Sequence, residues 1–184
     1  MKQIDTASGL LQFVARQTQR SVLPIMENKM KTKPIPDGYH SVTPYLIIKG
    51  AAQAIDFYKR AFGATELVHM PGPNGKVMHA EIKIGDSPIM LADEFPEMGA
   101  ISPTTLKGTT FGLALYVENV DAVCAQATAA GAKVLRPLQN QFYGYRSATL
   151  EDPFGHRWTV ATHVEDVSPE EMKRRAAAAM GSAS

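Results

Sequence analysis

The sequence predicts an α+β domain in which two paired β-α-β-β-β modules form a curved mixed sheet around a cleft. Three observations lead there. The chain repeats its own pattern at an offset of 68 residues. Each copy runs from an apolar strand through an amphipathic helix into three strand-like segments. One such unit exposes a sheet face that it cannot bury alone, so two must pair. Residues 1–38 are read as an N-terminal extension and linker, 39–166 as the domain, with modules at about 40–100 and 108–166, and 167–184 as a C-terminal helix and tail.

In the extension, Ser8 can cap a short helix whose apolar side is Leu10, Leu11, Phe13 and Val14. Such a helix is too short to be stable alone. Lys29 to Pro36 is basic and proline-bearing, which reads as a linker. The scarcity of acids beside Arg16 and Arg20 leaves a targeting peptide open next to the plainer reading, an extension with Met26 or Met30 as internal starts.

Tyr45-Leu46-Ile47-Ile48 is the first strand. Ala51, Ile55, Tyr58 and Phe62 then recur at helical spacing until Gly63 stops the helix. The second copy gives Leu113 to Val117 as strand, Val120, Val123, Cys124 and Ala127 as helical stripe, and Gly131 as stop. Three strands follow each helix: Thr65–His69, Val77–Ile84 and Ser87–Ala92 in the first copy, Lys133–Arg136, Phe142–Leu150 and Arg157–Thr162 in the second. Asp152-Pro153-Phe154-Gly155 turns the last hairpin, because Asp bonds its own following backbone, Pro presets φ and Gly accepts φ > 0. Ser168-Pro169-Glu170-Glu171 then opens a surface helix with a cap and a proline at its first position.

Composition narrows the function. A formal net charge of +1 argues against a nucleic-acid partner. No apolar run approaches the ~20 residues of a membrane span. The single Cys124 excludes an intrachain disulfide and fits a reducing compartment, so a cytoplasmic protein is expected.

The helix signature Ala54-Ile55-Asp56-Phe57-Tyr58 with Ala61-Phe62-Gly63-Ala64, and the terminal Glu151-Asp152-Pro153-Phe154-Gly155-His156-Arg157, resemble the vicinal-oxygen-chelate superfamily of glyoxalases, bleomycin-resistance proteins, fosfomycin-resistance transferases and extradiol dioxygenases. Within it, His79-Ala80-Glu81-Ile82, Ile84-Gly85-Asp86-Ser87, Met90-Leu91-Ala92-Asp93-Glu94 and the run from Thr162 to Met172 resemble the PhnB-like branch. The resemblance spans about residues 40–172 and implies the glyoxalase/bleomycin-resistance fold, with a cleft completed in a homodimer.

It also implies where a metal would be held, by His and Glu on the first and last strand of each module. The matching positions are Thr43 or Pro44, Leu91, Phe111 or Gly112, and Thr159, none of them His, Asp, Glu or Cys. No metal or other cofactor is therefore expected. The alternative is a divalent ion at a site moved to His79, Glu81 and His163. If Gly85-Asp86 is a two-residue hairpin turn, Ala80 pairs with Leu91 on the cavity face and His79, Glu81 and Lys83 point away. His156 is read as capping or exposed, Cys124 as an inert buried thiol, and Trp158 as packed under a helix.

What remains is a cleft lined by rings and a few polar tips, suited to a planar or partly apolar small molecule. Tyr45, Tyr116, Tyr145 and Thr159 are the expected ligand contacts, with Arg146 as a cation for a carboxylate or phosphate. No catalytic residue stands out. Two functions follow: a metal-free binder of the bleomycin-resistance type, or a metal-dependent lyase, dioxygenase or transferase of the same superfamily. Deleting residues 1–36 should leave thermal stability nearly unchanged, because the segment carries few apolar residues. A melting temperature lower by more than about 8 °C would show instead that the arm docks into the fold.

Overall fold

Two copies of one chain path build the fold, in a computed structural model that describes residues 32–181. The helix expected from Ser8 lies outside the described residues. Both copies belong to the unit that begins at Ile35. The first comprises β1 (Tyr45–Ile48), α1 (Ala51–Phe62), β2 (Thr65–Pro71), β3 (Val77–Ile84) and β4 (Ser87–Asp93). After the short helix α2 (Pro103–Leu106), the second comprises β5 (Gly112–Tyr116), α3 (Val120–Ala130), β6 (Lys133–Asn140), β7 (Tyr145–Glu151) and β8 (Arg157–His163). Helix α4 (Pro169–Gly181) follows, its Glu171 held down to about 2 by Arg174 and Arg175.

The strands form two four-stranded mixed sheets, ordered β1-β4-β3-β2 and β5-β8-β7-β6. In each, the first strand runs parallel to the last and the remaining pairs are antiparallel. The α+β class and the paired modules agree with the sequence. The curved sheet is two sheets rather than one ladder, since β1 and β5 are not hydrogen-bonded to each other.

Helix starts show how local chemistry sets these elements. Asn119 accepts from Ala122 N–H and caps α3, as its residue type predicts. Helix α1 has no such neighbour. Its first N–H groups are met from β4, where Asp93 Oδ1 accepts from Gly50 at 2.9 Å and Ala51 at 3.0 Å while Oδ2 accepts from Val77 at 2.7 Å. One carboxylate thus joins the helix start to two strands.

The helices pack between the sheets and the core fills the space beneath them. Leu46, Ile48, Ala80, Ile82 and Leu91 from sheet 1 pack with Ala54, Ile55, Phe57 and Tyr58 of α1. Trp158 and Val160 from β8 join the same cluster, with the Trp158 ring 4.8 Å from Phe62 and 5.5 Å from Tyr58. Trp158 thus sits under a helix as its parity suggests, and Cys124 is buried, which pushes its thiol up. His156 departs from expectation: it is 2% exposed.

At the centre lies Asp152, itself buried. Its Oδ1 accepts from Phe154 at 3.0 Å and His156 at 2.9 Å, closing the turn, and Gly155 takes φ 87° as the turn requires. Oδ2 accepts from Tyr58 Oη at 2.7 Å and Trp158 Nε1 at 2.9 Å, bridging α1 of the first module and β8 of the second. Burial, then the Asp152 charge, raise the Tyr58 phenol well above its ordinary value of 10.0.

Asp152→Ala should cost about 3 kcal/mol or more in urea unfolding, because it strands two buried donors as well as opening the turn. For Tyr58 the sign follows from linkage. Its stabilising contribution is fully present below the unfolded pKa of about 10 and is lost as pH rises toward the higher folded value. Tyr58→Phe should therefore flatten the alkaline fall in stability while costing about 1.5–3 kcal/mol at neutral pH.

Candidate functional site

Side chains alternate across a strand, so burying one face of each sheet against the helices leaves the other open. In sheet 1 the buried row is Leu46, Leu91 and Ala80, joined in register. Ala80 does pair with Leu91, but that row faces the helix. The open row is Tyr45, Met90, Glu81 and Val68. His79 and Glu81 therefore lie on the open face, opposite to the expected orientation. The β4 position that shares this face is Met90, so Leu91 is excluded from any site there.

These residues form a hydrogen-bonded chain. Tyr45 Oη lies 3.0 Å from His79 Nδ1, His79 Nε2 lies 3.1 Å from Glu81 Oε1, and the Tyr39 phenol donates to Glu81 Oε2. A carboxylate only accepts, so in the neutral imidazole Nε2 carries the proton and Nδ1 accepts from Tyr45. The chain fixes the imidazole tautomer and orients the Tyr45 phenol.

Sheet 2 repeats the geometry with other chemistry. Its open face carries two rows: Ala114, Thr159, Thr149 and Arg136, then Tyr116, Ala161, Ser147 and Gln139. Beyond them Tyr145 pairs with His163. Tyr145 is 5.8 Å from Tyr116, 4.9 Å from His163 and 5.9 Å from Tyr143, ring centre to ring centre, making an aromatic shelf. A polar cavity of about 190 Å³ adjoins it, lined by Arg136, Gln139, Gln141, Tyr143, Ser147, Thr149 and Thr159.

Of the expected ligand contacts, Tyr45, Tyr116, Tyr145 and Thr159 stand on open faces, Tyr45 on sheet 1 and the other three on sheet 2. Arg146 does not. It follows Tyr145 on β7 and so points to the helix side, where Asp121 of α3 accepts from Nε at 2.8 Å and from Nη2 at 2.7 Å. Its cation is committed. Arg136 was missed, as were Ser147 and Thr149; the alternation from Tyr145 through Ser147 to Thr149 was a readable signal for those two.

The positions that the resemblance assigns to metal ligands do not fit a metal centre. Leu91 is buried against α1, Met90 offers only a thioether, and Thr159 sits among Ala114 and Thr149. His79 and Glu81 hold each other, while His163 stands on the other sheet, 3.3 Å from Asp166. Among the described residues no three His, Cys, Asp or Glu side chains converge to hold an ion.

A further cavity of about 250 Å³ lies where Val42, Pro44 and the β3–β4 turn meet β5 and Trp158. Another, of about 190 Å³, is bounded by Tyr45, Ile47, Phe111 and His156. There the buried His156 ring faces the Ile47 backbone, and burial holds the imidazole below its ordinary pKa.

Among known proteins, an uncharacterised Mycobacterium bovis protein is 41% identical over 136 residues, 72% of this chain and 90% of that one, and an uncharacterised protein of Mycobacterium tuberculosis matches equally over 80% of its length. Among solved structures, TnmS3, an antibiotic binding protein from Streptomyces sp. CB03234, superposes with a TM-score of 0.51 at 26% identity over 72% of this chain and 99% of that one. A PhnB protein from Bacillus cereus superposes with a TM-score of 0.52 at 19% identity, over 67% of this chain and 99% of the other, and so shows the shared fold. The sequence model of the Glyoxalase/Bleomycin resistance protein/Dioxygenase superfamily matches residues 39–160, and with two β-α-β-β-β modules in place the chain belongs to that superfamily.

Proposed function

We propose that the protein is a metal-free small-molecule binder of the bleomycin-resistance type, holding a planar ligand against an open sheet face. The observation that carries this is the shelf of Tyr116, Tyr145, Tyr143 and His163, an array of neighbouring rings in which Tyr116, Tyr143 and His163 are exposed and Tyr145 is half-buried. Stacking needs no metal, and the donor set at the implied metal positions does not favour one. The antibiotic-binding description of TnmS3 supports the same reading.

The binder is proposed to work as a cytoplasmic homodimer. Tyr45, Val68 and Met70 on sheet 1 are exposed apolar groups, which a second copy would cover. Light scattering should give twice the 20.0 kDa chain mass. A single-chain mass at micromolar concentration would count against the dimer.

A second reading, an enzyme with a divalent ion moved to His79 and Glu81, has one observation in its favour: the two side chains meet on an open face. Metal analysis separates the readings. Stoichiometric metal lost on His79→Ala would support the enzyme.

For the binder, a thermal-shift screen of planar carboxylates and glycopeptide antibiotics should give hits that EDTA leaves unchanged. Tyr145→Ala should weaken them about 5- to 10-fold, near 1 kcal/mol of ring contact. Binding abolished by EDTA and restored by Zn²⁺, Ni²⁺ or Fe²⁺ would overturn the metal-free reading.

A further inference from the structure

We infer that the polar cavity beside the aromatic shelf is an anion pocket read by Arg136, so that the ligands of this face are aromatic acids. The inference rests on the binder reading and names its ligand class.

Arg136 stands on β6 in register with Thr149, which pairs with Thr159, so the guanidinium and two hydroxyls share one row of the open face. Ser147 and Gln139 form the next row. None of these five side chains makes a hydrogen bond or ion pair within the protein, among the described residues. Several cations and hydroxyls elsewhere in the fold are committed instead. Arg146, Arg174 and Arg175 are bound to carboxylates, and Ser102, Thr105, Thr128 and Thr162 are bonded to neighbouring groups.

The cavity lining contains a cation, amides and hydroxyls, but no carboxylate. Ser147 is only 4% exposed, so its hydroxyl is presented at depth rather than to bulk water. A cation beside amide and hydroxyl donors, with no carboxylate among them, suits a negatively charged group, and a planar guanidinium suits the paired oxygens of a carboxylate, sulfonate or phosphate.

Tyr143 fixes the rest of the ligand. It lines the cavity and also lies 5.9 Å from Tyr145, so the pocket opens directly onto the shelf. Tyr145 and Thr149 are four residues apart on β7, about 13 Å at strand rise. A fused-ring acid covers that span, with rings over the tyrosines and the charge at Arg136.

Two fluorescent probes with one aryl frame test this on the full-length chain: 8-anilino-1-naphthalenesulfonate, which carries the anion, and N-phenyl-1-naphthylamine, which lacks it. The sulfonate should bind more tightly, and more weakly as NaCl is added. Arg136→Gln should reduce sulfonate affinity about 10- to 100-fold and leave the neutral probe within about twofold. Arg136→Lys should recover part of the loss, Thr149→Val should weaken the sulfonate alone, and Arg146→Gln should change neither. Sulfonate affinity unchanged in Arg136→Gln, with the neutral probe still dependent on Tyr145, overturns the anion pocket and leaves the binder standing. Failure of both probes to bind saturably overturns both.

Discussion

The carboxylate of Asp152 is the interaction on which the molecule depends. It closes the last hairpin through two backbone N–H groups and reaches across the core to Tyr58 and Trp158. A buried acid is tolerable only when its oxygens are satisfied, and here four donors from two modules do so. The geometry of β8, and with it the open face carrying Thr159 and His163, is therefore set by a residue that never touches that face.

Much of this was legible in the chain. The repeat gave the modules, the Asp-Pro-Phe-Gly turn gave the last hairpin, and Asn119 gave a helix start. The orientation of sheet 1 was not legible, for a physical reason. Strand β4 reads Ser-Pro-Ile-Met-Leu-Ala-Asp, apolar on both faces, so period two carries no sign and Leu91 and Met90 exchange roles at no cost to the pattern. Arg146 was misplaced because its partner, Asp121, lies on a helix 25 residues earlier in sequence. Arg136 was hidden in an edge strand that Pro137 and two register shifts make irregular. Only the pairing of that strand brings Arg136 beside Thr149. The buried state of His156 had no signal either, since a turn residue is ordinarily solvated.

Folding the same path twice has produced two faces of different character. The first carries a chain of hydrogen bonds that runs from Tyr39 through Glu81 and His79 to Tyr45. The second carries polar tips with no partner next to a run of rings. A satisfied network rigidifies its surroundings, whereas uncommitted donors gain most from an incoming acceptor. The contrast is the reason to look for the ligand on sheet 2, although the family resemblance by itself treats the modules alike.

The absence of a ladder between β1 and β5 has a mechanical meaning. Among the described residues no backbone hydrogen bond passes from one module to the other. They meet through the packing of α1 on α3, the Tyr58–Asp152 contact and the reach of Gln126 to the carbonyls of Arg60 and Ala61. Packed helices can slide by small amounts without breaking main-chain bonds, so the joint between the modules resists shear through its side chains alone. The cavity between Pro44 and β5 lies at that joint, so its width is set by side-chain packing and not by a backbone ladder.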